Sequence, residues 1–240
     1  MNKALLLALA LIVVGCAEPT PRNLDELSRQ GPQYLDPETL EPYSGPAYQM
    51  AQYDSTEIVL RVNLRDGRFH GDFEDFDPEG VEEGLVIYQT GTYRNGLREG
   101  PHEYFYPSGV FRGRGTYKNG LQEGPYESYY ENGELRSRTD WMADELDGPS
   151  EFYYESGELR NRTNYVAGQR HGPYEFYHEN GQLSFEVTYK DGEPHGSGEA
   201  YSEGGQLLYK GASNMGAKCG EWFENGKTLT FDPCPPDLED

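Results

Sequence analysis

Two series of ionisable side chains recur along the chain and are the first candidates for chemistry. The glutamates are Glu103, Glu127, Glu151, Glu175 and Glu199. The histidines that stand directly before a glycine are His70, His171 and His195. Carboxylate and imidazole groups transfer protons or bind a metal when they converge on one point. The glutamates recur every 24 residues, which places equivalent side chains in a row, one repeat apart. Both series therefore favour structural positions of a repeat over a catalytic centre.

One acidic segment departs from this interval. Asp75, Asp77 and Glu79 partly follow the spacing of an EF-hand calcium loop, in which oxygen ligands recur at alternate positions. The twelfth position of such a loop would be Val86 rather than glutamate, and no helices flank it. The sequence favours a longer acidic hairpin loop over a cation site. No nucleophile, phosphate-loop, zinc or dinucleotide motif is found, so we expect neither enzyme activity nor a cofactor.

The elements that carry these side chains are predicted from the repeat that begins at Gly124 and reads GPYESYYENGEL. Side-chain character alternates along it, which indicates β-strands rather than a helix. Asn132-Gly133 is a dipeptide favoured in two-residue type I′ turns, so it is predicted to join two strands into a hairpin. Repetition of this hairpin predicts an all-β fold, an elongated antiparallel meander of tandem hairpins with no significant helix.

One face of the predicted sheet is apolar and aromatic. In the repeat that begins at Gly172, this face is predicted to comprise Tyr174, Phe176, Leu183, Phe185 and Val187. Such a face must be covered by curvature, by another part of the sheet or by a partner.

The opposite face is polar, and its register predicts ion pairs. Glu127 lies opposite Arg138, and Glu103 and Glu151 have equivalent arginines; each such pair contributes about 0.2–1 kcal/mol. Glu175 instead faces Glu186. The Glu175 and Glu186 position is therefore predicted to meet a cation or an external basic group.

Three tyrosines of the polar face are further candidates for interaction. Tyr129 is predicted opposite Arg136 and Tyr153 opposite Arg160, where a ring and a guanidinium group can stack. Tyr177 is the corresponding residue of a later repeat. Partly exposed tyrosines suit protein or glycan binding, although packing within the sheet is the simpler account.

The repeats resemble the MORN repeat variant, a family of hairpin units rich in Gly, Tyr and Glu. The resemblance rests on GPYESYYENGEL, GPSEFYYESGEL and GPYEFYHENGQL with the linking KNGLQEGP, and it extends over residues 45–230. It implies a hairpin array and says little about function. Bacterial proteins with such repeats are often described as antitoxins, which the resemblance adds as an alternative.

The N-terminal residues differ from the repeats. Lys3 precedes an apolar run at residues 4–14 that is shorter than the ~20 residues of a membrane span, so residues 1–15 are predicted to be a signal peptide. The apolar run ends in the sequence VVGC, residues 13–16, which resembles the lipobox of bacterial lipoproteins. The resemblance implies lipidation of Cys16, for instance with palmitate, and a location at the outer membrane facing the periplasm. Residues 16–44, rich in proline, are predicted to be a flexible tether.

The remaining cysteines are near the C-terminus. Cys219 and Cys234 are predicted to form a disulfide in an oxidising compartment, and closing a loop of this length contributes about 3 kcal/mol. This disulfide would pin the acidic tail, residues 231–240, to the last strands.

The charge of the chain bounds its partners. A formal net charge of −22 argues against nucleic acid and anionic lipid headgroups. It permits a basic protein partner or a cation, and it also keeps an exposed sheet soluble. We therefore expect a non-enzymatic, membrane-anchored lipoprotein that acts as a protein-interaction scaffold in the bacterial envelope. The alternative is an immunity or antitoxin-like protein that binds a basic toxin through its acidic surface.

Overall fold

The chain folds almost entirely into β-strands. The computed structural model describes residues 19–51, 57–77 and 86–238. The strands of the first half are β1 (Arg22–Asn23), β2 (Ser28–Gln30), β3 (Gln33–Leu35), β4 (Gly45–Met50), β5 (Ile58–Arg65), β6 (Arg68–Asp77), β7 (Val86–Arg94), β8 (Leu97–Phe105), β9 (Phe111–Lys118) and β10 (Leu121–Gln122). The strands of the second half are β11 (Gly124–Tyr129), β12 (Leu135–Met142), β13 (Glu145–Tyr153), β14 (Leu159–Val166), β15 (Gln169–Arg170), β16 (Gly172–Tyr177), β17 (Leu183–Lys190), β18 (Glu193–Tyr201), β19 (Leu207–Asn214), β20 (Ala217–Glu224) and β21 (Lys227–Thr230). Two short 3₁₀ helices comprise Leu24–Glu26 and Pro236–Leu238.

Nineteen of these strands form one sheet. From β4 to β21, successive long strands pair antiparallel. Strand β9 pairs with both the short β10 and β11, and strand β14 pairs in the same way with both the short β15 and β16. Strand β1 adds to β4 in parallel, and β2 and β3 form a separate hairpin. The predicted all-β antiparallel meander is confirmed. Within the described ranges, no helix has the length and apolar character needed to cross a membrane.

Each repeat uses two different turns. At the first turn, the amide N–H of Gly133 donates to the carbonyl of Tyr130 (2.9 Å), and that of Tyr130 donates to the carbonyl of Glu134 (2.8 Å). Gly133 has a φ of 89° while Asn132 stays at negative φ, so this is a type I turn closed by a glycine in the left-handed region. The predicted type I′ turn at Asn132-Gly133 is therefore wrong. Type I′ geometry occurs at the second turn instead, as at Asn119 (φ 53°) and the glycine that follows it.

The strand after each first turn carries one extra residue. Ser128 pairs with Ser137 and Tyr129 pairs with Leu135, so Arg136 has no partner of its own across the ladder. This β-bulge turns Arg136 to the side of Ser137. The predicted pairing of Tyr129 with Arg136 is wrong because strict alternation does not allow for the extra residue.

The bulges recur and correct two further assignments. Tyr153 pairs with Leu159 rather than with Arg160. Leu183 pairs with Tyr177, so it leaves the predicted apolar stripe. The other members of that stripe remain together, with Tyr174 and Phe176 both packed against Phe185 at ring-centroid distances of 5.4 and 5.3 Å.

The two faces of the sheet are named here by their charged residues. The glutamate face carries Glu127, Glu151, Glu175 and Glu199. The arginine face, on the opposite side, carries the bulge residues Arg112, Arg136 and Arg160. The predicted aromatic stripe belongs to the arginine face, because Phe176 and Tyr174 line the same groove as Arg160.

The N-terminal segment folds against the first repeats instead of forming the expected flexible tether. Its described part, residues 19–44, includes β1, the first 3₁₀ helix and the β2–β3 hairpin. Leu24 and Leu27 are buried in a cluster with Phe73 of β6, and Tyr34 stacks on Phe69 at 5.6 Å. The physical reason is apolar burial, because this cluster would otherwise stay exposed at the end of the sheet. Residues 19–44 are thus an N-terminal cap.

The cap continues into a buried aromatic row at the start of the arginine face. Phe73 packs on the imidazole ring of His102, which packs in turn on Tyr117 (4.7 Å). His102 is fully buried, and its ring lies directly over Gly91, where a Cβ would be 2.4 Å from Cδ2 of the imidazole. Glycine at position 91 therefore makes room for the ring.

The C-terminal end is closed by a covalent link. Cys219 of β20 and Cys234 form a disulfide, with Cα atoms 4.9 Å apart. Beside it, Gly220 exchanges backbone hydrogen bonds with Asp232 and Phe231, each 2.8 Å long. These contacts hold the start of the tail against β20.

Candidate functional site

The glutamate face is built from a repeated Glu–Tyr–Arg unit. In its most complete copy, one carboxylate oxygen of Glu127 accepts hydrogen bonds from Arg114 of β9 (2.9 Å) and from the hydroxyl of Tyr129 (3.1 Å). The other oxygen accepts from Arg138 of β12 (3.3 Å). One carboxylate thus links three strands, β9, β11 and β12, and Tyr129 contacts a glutamate rather than the arginine predicted for it.

The unit recurs in the later repeats. The hydroxyl of Tyr153 donates to Glu151 (2.8 Å), which lies 3.9 Å from Arg138. Tyr177 donates in the same way to Glu175. The register pairs Glu151 with Arg162 and Glu103 with Arg114 as predicted. Of the three predicted ion pairs, however, only Glu127 with Arg138 is observed within the described ranges, because Arg114 and Arg162 bind the glutamate of the next repeat.

Hydrogen bonding fixes the charge state of the unit. Partial burial raises the pKa of Glu127, but hydrogen bonds from Arg114, Tyr129 and Arg138 outweigh burial and hold that pKa below its usual value. Burial and the hydrogen bond to Glu127 raise the pKa of the Tyr129 phenol. The carboxylate therefore stays ionised and the phenol stays protonated at neutral pH.

The predicted acidic site contains one unneutralised carboxylate. Glu175 and Glu186 are cross-strand partners as expected, and Glu199 lies on the other side of Glu186. Glu175, however, binds Arg162 of the neighbouring strand (2.7 Å), and Glu199 binds Lys210 (2.5 Å). The expectation that Glu175 lacks a cation is wrong because Arg162 reaches it from β14. Within the described ranges, Glu186 alone of this row takes part in no ion pair.

The arginine face was missed by sequence reasoning. The guanidinium carbon of Arg112 lies 5.1 Å from the ring centroid of Tyr88, and that of Arg136 lies 5.9 Å from Tyr130. Arg160 lies 5.8 Å from Phe152. The available signal was the repeated Arg-x-Arg of FRGR, LRSR and LRNR. Simple alternation puts both arginines of each pair on one face, whereas the bulge sends them to opposite faces.

The histidines do not converge. The Nδ1 atoms of His70 and His195 are buried without a hydrogen-bond partner among the described residues, while His171 lies 3.7 Å from Asp191. In the part of the chain that the structure describes, no three His, Cys, Asp or Glu side chains gather in a metal-binding arrangement.

The acidic insertion and the lipidation site are described only in part. Asp75 accepts a hydrogen bond from the amide of Gln89 (2.7 Å), and Asp77 pairs with Val86 at the end of β6. Glu79 lies outside the described residues, as do Cys16 and the predicted signal peptide.

This fold and these surfaces define an all-β repeat protein whose functional groups lie on the faces of a sheet. The profile of the family described as MORN repeat variant matches four segments, residues 98–119, 122–141, 146–167 and 170–191. Residues 98–191 therefore contain four variant MORN repeats, and the same hairpin pattern continues on both sides of them. Such repeats are non-catalytic modules of protein or membrane interaction, which indicates a binding or scaffold role. No curated protein matches the chain significantly.

Proposed function

We propose that this chain is a non-enzymatic lipoprotein, held at the periplasmic side of the outer membrane by lipid on Cys16, that serves as a protein-interaction scaffold. The single observation that carries the interaction role is Glu186. Glu175 and Glu199, which flank it on the glutamate face, are bound by Arg162 and Lys210, whereas Glu186 takes part in no ion pair among the described residues. A basic side chain of a partner would form the missing ion pair with Glu186.

The surroundings of Glu186 fit such a contact. Tyr177 and Tyr201 lie on either side, each with its hydroxyl donated to the glutamate of its own strand. Tyrosines with an apolar ring and an engaged hydroxyl are common at protein interfaces. Glu186 is half-buried, so a guanidinium or ammonium group that reaches it would be partly shielded from water.

An immunity-like role is the second proposal, favoured by the net charge of −22. A basic toxin would be attracted over the whole acidic surface, so its association rate would fall steeply with salt. A scaffold contact centred on Glu186 depends mainly on that side chain. A toxin gene beside the gene for this chain would also favour the immunity role.

Chemical crosslinking in intact cells followed by affinity purification tests the scaffold role. Glu186→Lys should abolish a crosslinked partner because the new ammonium repels a basic group. Glu145→Lys introduces the same charge at an exposed position of the second-turn edge and should leave the partner bound. Equal recovery with both variants would contradict the assignment of the contact to Glu186.

Fractionation tests the anchor separately. Cys16→Ser should move the protein from the membrane fraction to the soluble fraction and abolish labelling by palmitate. A membrane association that survives this substitution would contradict lipid anchoring at Cys16.

A further inference from the structure

The arginine face concentrates positive charge in an otherwise strongly acidic protein. A groove of 560 Å³ is lined by eight residues, of which three are Arg112, Arg136 and Arg160 and none is acidic. The adjoining groove of 320 Å³ adds Arg170, also without a carboxylate in its lining. Four arginines therefore face two neighbouring grooves in a chain whose net charge is −22.

These arginines differ in their contacts from those of the opposite face. Arg114, Arg138 and Arg162 each bind a glutamate at 2.9, 3.3 and 2.7 Å. Within the described ranges, the groove arginines form no ion pair and lie over aromatic rings instead, as Arg170 does over Tyr174 at 4.7 Å. A ring below a guanidinium group orients it. Arg112 donates one hydrogen bond to the hydroxyl of Tyr88 and Arg160 donates one to the side-chain oxygen of Asn161, both at 3.3 Å, which leaves most of the five donors of each guanidinium group for another molecule.

The bulges give the arginines a regular spacing. Arg112, Arg136 and Arg160 each occupy the extra position of one repeat, and bulges re-aim side chains in this way. Equivalent positions of successive repeats are two strands apart, which corresponds to about 10 Å. A ligand that contacts all three must be extended and must carry an acceptor group at about that interval.

We propose that the arginine face binds a linear acidic glycan, a sugar chain that carries carboxylates. Guanidinium groups bind carboxylates through paired hydrogen bonds. The groove between them is lined by Ser128 and Ser137, whose hydroxyls hydrogen-bond to each other (2.6 Å), and by Tyr130, whose hydroxyl donates to the carbonyl of Tyr153 (2.7 Å). The Tyr130 oxygen keeps an acceptor position for a hydroxyl of a sugar chain. This glycan site is separate from the protein contact at Glu186, which lies on the other face.

Two other extended polyanions fit less well. A peptide on the face of a sheet cannot add to the backbone ladder, because those hydrogen bonds are available only at an edge strand. Single-stranded nucleic acid gains much of its affinity from bases stacked on aromatic rings, and here guanidinium groups lie over Tyr130 and Phe152.

The test uses oligogalacturonate of about ten sugar units and the same oligomer with its carboxylates methyl-esterified, titrated by calorimetry in 0.15 M salt. At this ionic strength the screening length is about 8 Å, so repulsion by distant acidic residues is small. We expect the acidic oligomer to bind and its neutral ester to bind at least about tenfold more weakly, because esterification removes the charge of every acceptor. Equal binding of the ester, or no binding of the acid, would overturn the proposal.

Matched variants locate the site. The double variant Arg136→Gln with Arg160→Gln should weaken binding at least about tenfold. The control, Arg138→Gln with Arg162→Gln, removes the same charge from the glutamate face and should change binding less than about twofold. Equal losses in both would refute the assignment to the arginine face. Poly-L-glutamate that bound as tightly as the oligogalacturonate would refute the glycan as the ligand class.

Discussion

Truncation of Leu24 tests whether residues 19–44 are a cap that stabilises the array. The Leu24 side chain is 4% exposed and lies in a cluster with Leu27, Val62, Leu64 and Phe73. Leu→Ala substitutions at such sites cost about 2–5 kcal/mol, because they remove apolar contacts and leave a cavity. If the free energy of unfolding falls by about 3 kcal/mol for each molar of urea, the urea concentration at the midpoint of unfolding should fall by about 0.7–1.7 M.

The assay should measure the local stability of the end of the sheet that the cap covers. Repeat arrays can open in sections, so urea titration is combined with amide hydrogen exchange of β4 and β5, the strands beside the cap. Exchange there should accelerate in Leu24→Ala, while exchange in β16 and β17 should change little, since these strands are far along the meander.

Leu40→Ala is the matched control, because it removes the same side chain from the same segment at a position that is 65% exposed. It should change stability by no more than about 0.5 kcal/mol. If Leu24→Ala behaves like Leu40→Ala in both assays, the segment contributes no core and the flexible-tether interpretation is correct.

Three further predictions concern single positions of the array. Gly91→Ala should destabilise the protein by about 1–3 kcal/mol, because the new Cβ would lie 2.4 Å from the ring of buried His102. Gly204→Ala is the control and should be tolerated, because no atom lies closer than 3.8 Å to its new Cβ. Urea unfolding measures the stability of both variants. Ala143→Asn should raise stability by about 0.5–1 kcal/mol in the same assay, because Ala143 has a φ of 51°, a region that asparagine adopts more readily. The pKa of Glu127 is lower in the folded state than in the unfolded state, where it is about 4.3. The ionised Glu127 side chain therefore stabilises the fold fully above the unfolded-state pKa, and this stabilisation is lost as the pH falls through the folded-state pKa. The melting temperature of Glu127→Gln should therefore depend less on pH between about 5 and 3 than that of the wild type, and parallel curves would contradict this role.

Much of the fold could be predicted because the sheet obeys simple rules. Alternation along each strand and the 24-residue interval identify the hairpins, and the partners Glu127 and Arg138 follow from the central register. These features depend on residues close in sequence, which is why a single repeat suffices to predict them.

The bulges could not be predicted by the same rules. Asn132-Gly133 fits both a type I′ turn and a type I turn with a left-handed glycine, and the two choices differ by one residue in register. The equivalent turn of an earlier repeat indicates the type I geometry. Its sequence is Tyr106-Pro107-Ser108-Gly109, and proline is favoured at the second position of a type I turn. Misreading this turn placed Arg136 on the wrong face and concealed the arginine face.

The cap was missed for another reason. Leu24 and Leu27 are three residues apart and Tyr34 follows seven residues later, which are too few apolar positions to define a helix or a strand, and prolines separate the short elements that carry them. Their burial depends on Phe69 and Phe73, which are distant in sequence, so no local pattern reveals it.

Position-resolved photo-crosslinking in intact cells tests the central claim, that the glutamate face around Glu186 receives a protein partner. A photoreactive residue replaces Tyr177 beside Glu186 or, as control, Val166, which is 50% exposed at the second-turn edge. We predict a discrete protein adduct from position 177 that disappears with Glu186→Lys, and no such adduct from position 166. The same adducts from both positions, or an adduct at position 177 that survives Glu186→Lys, would contradict the claim.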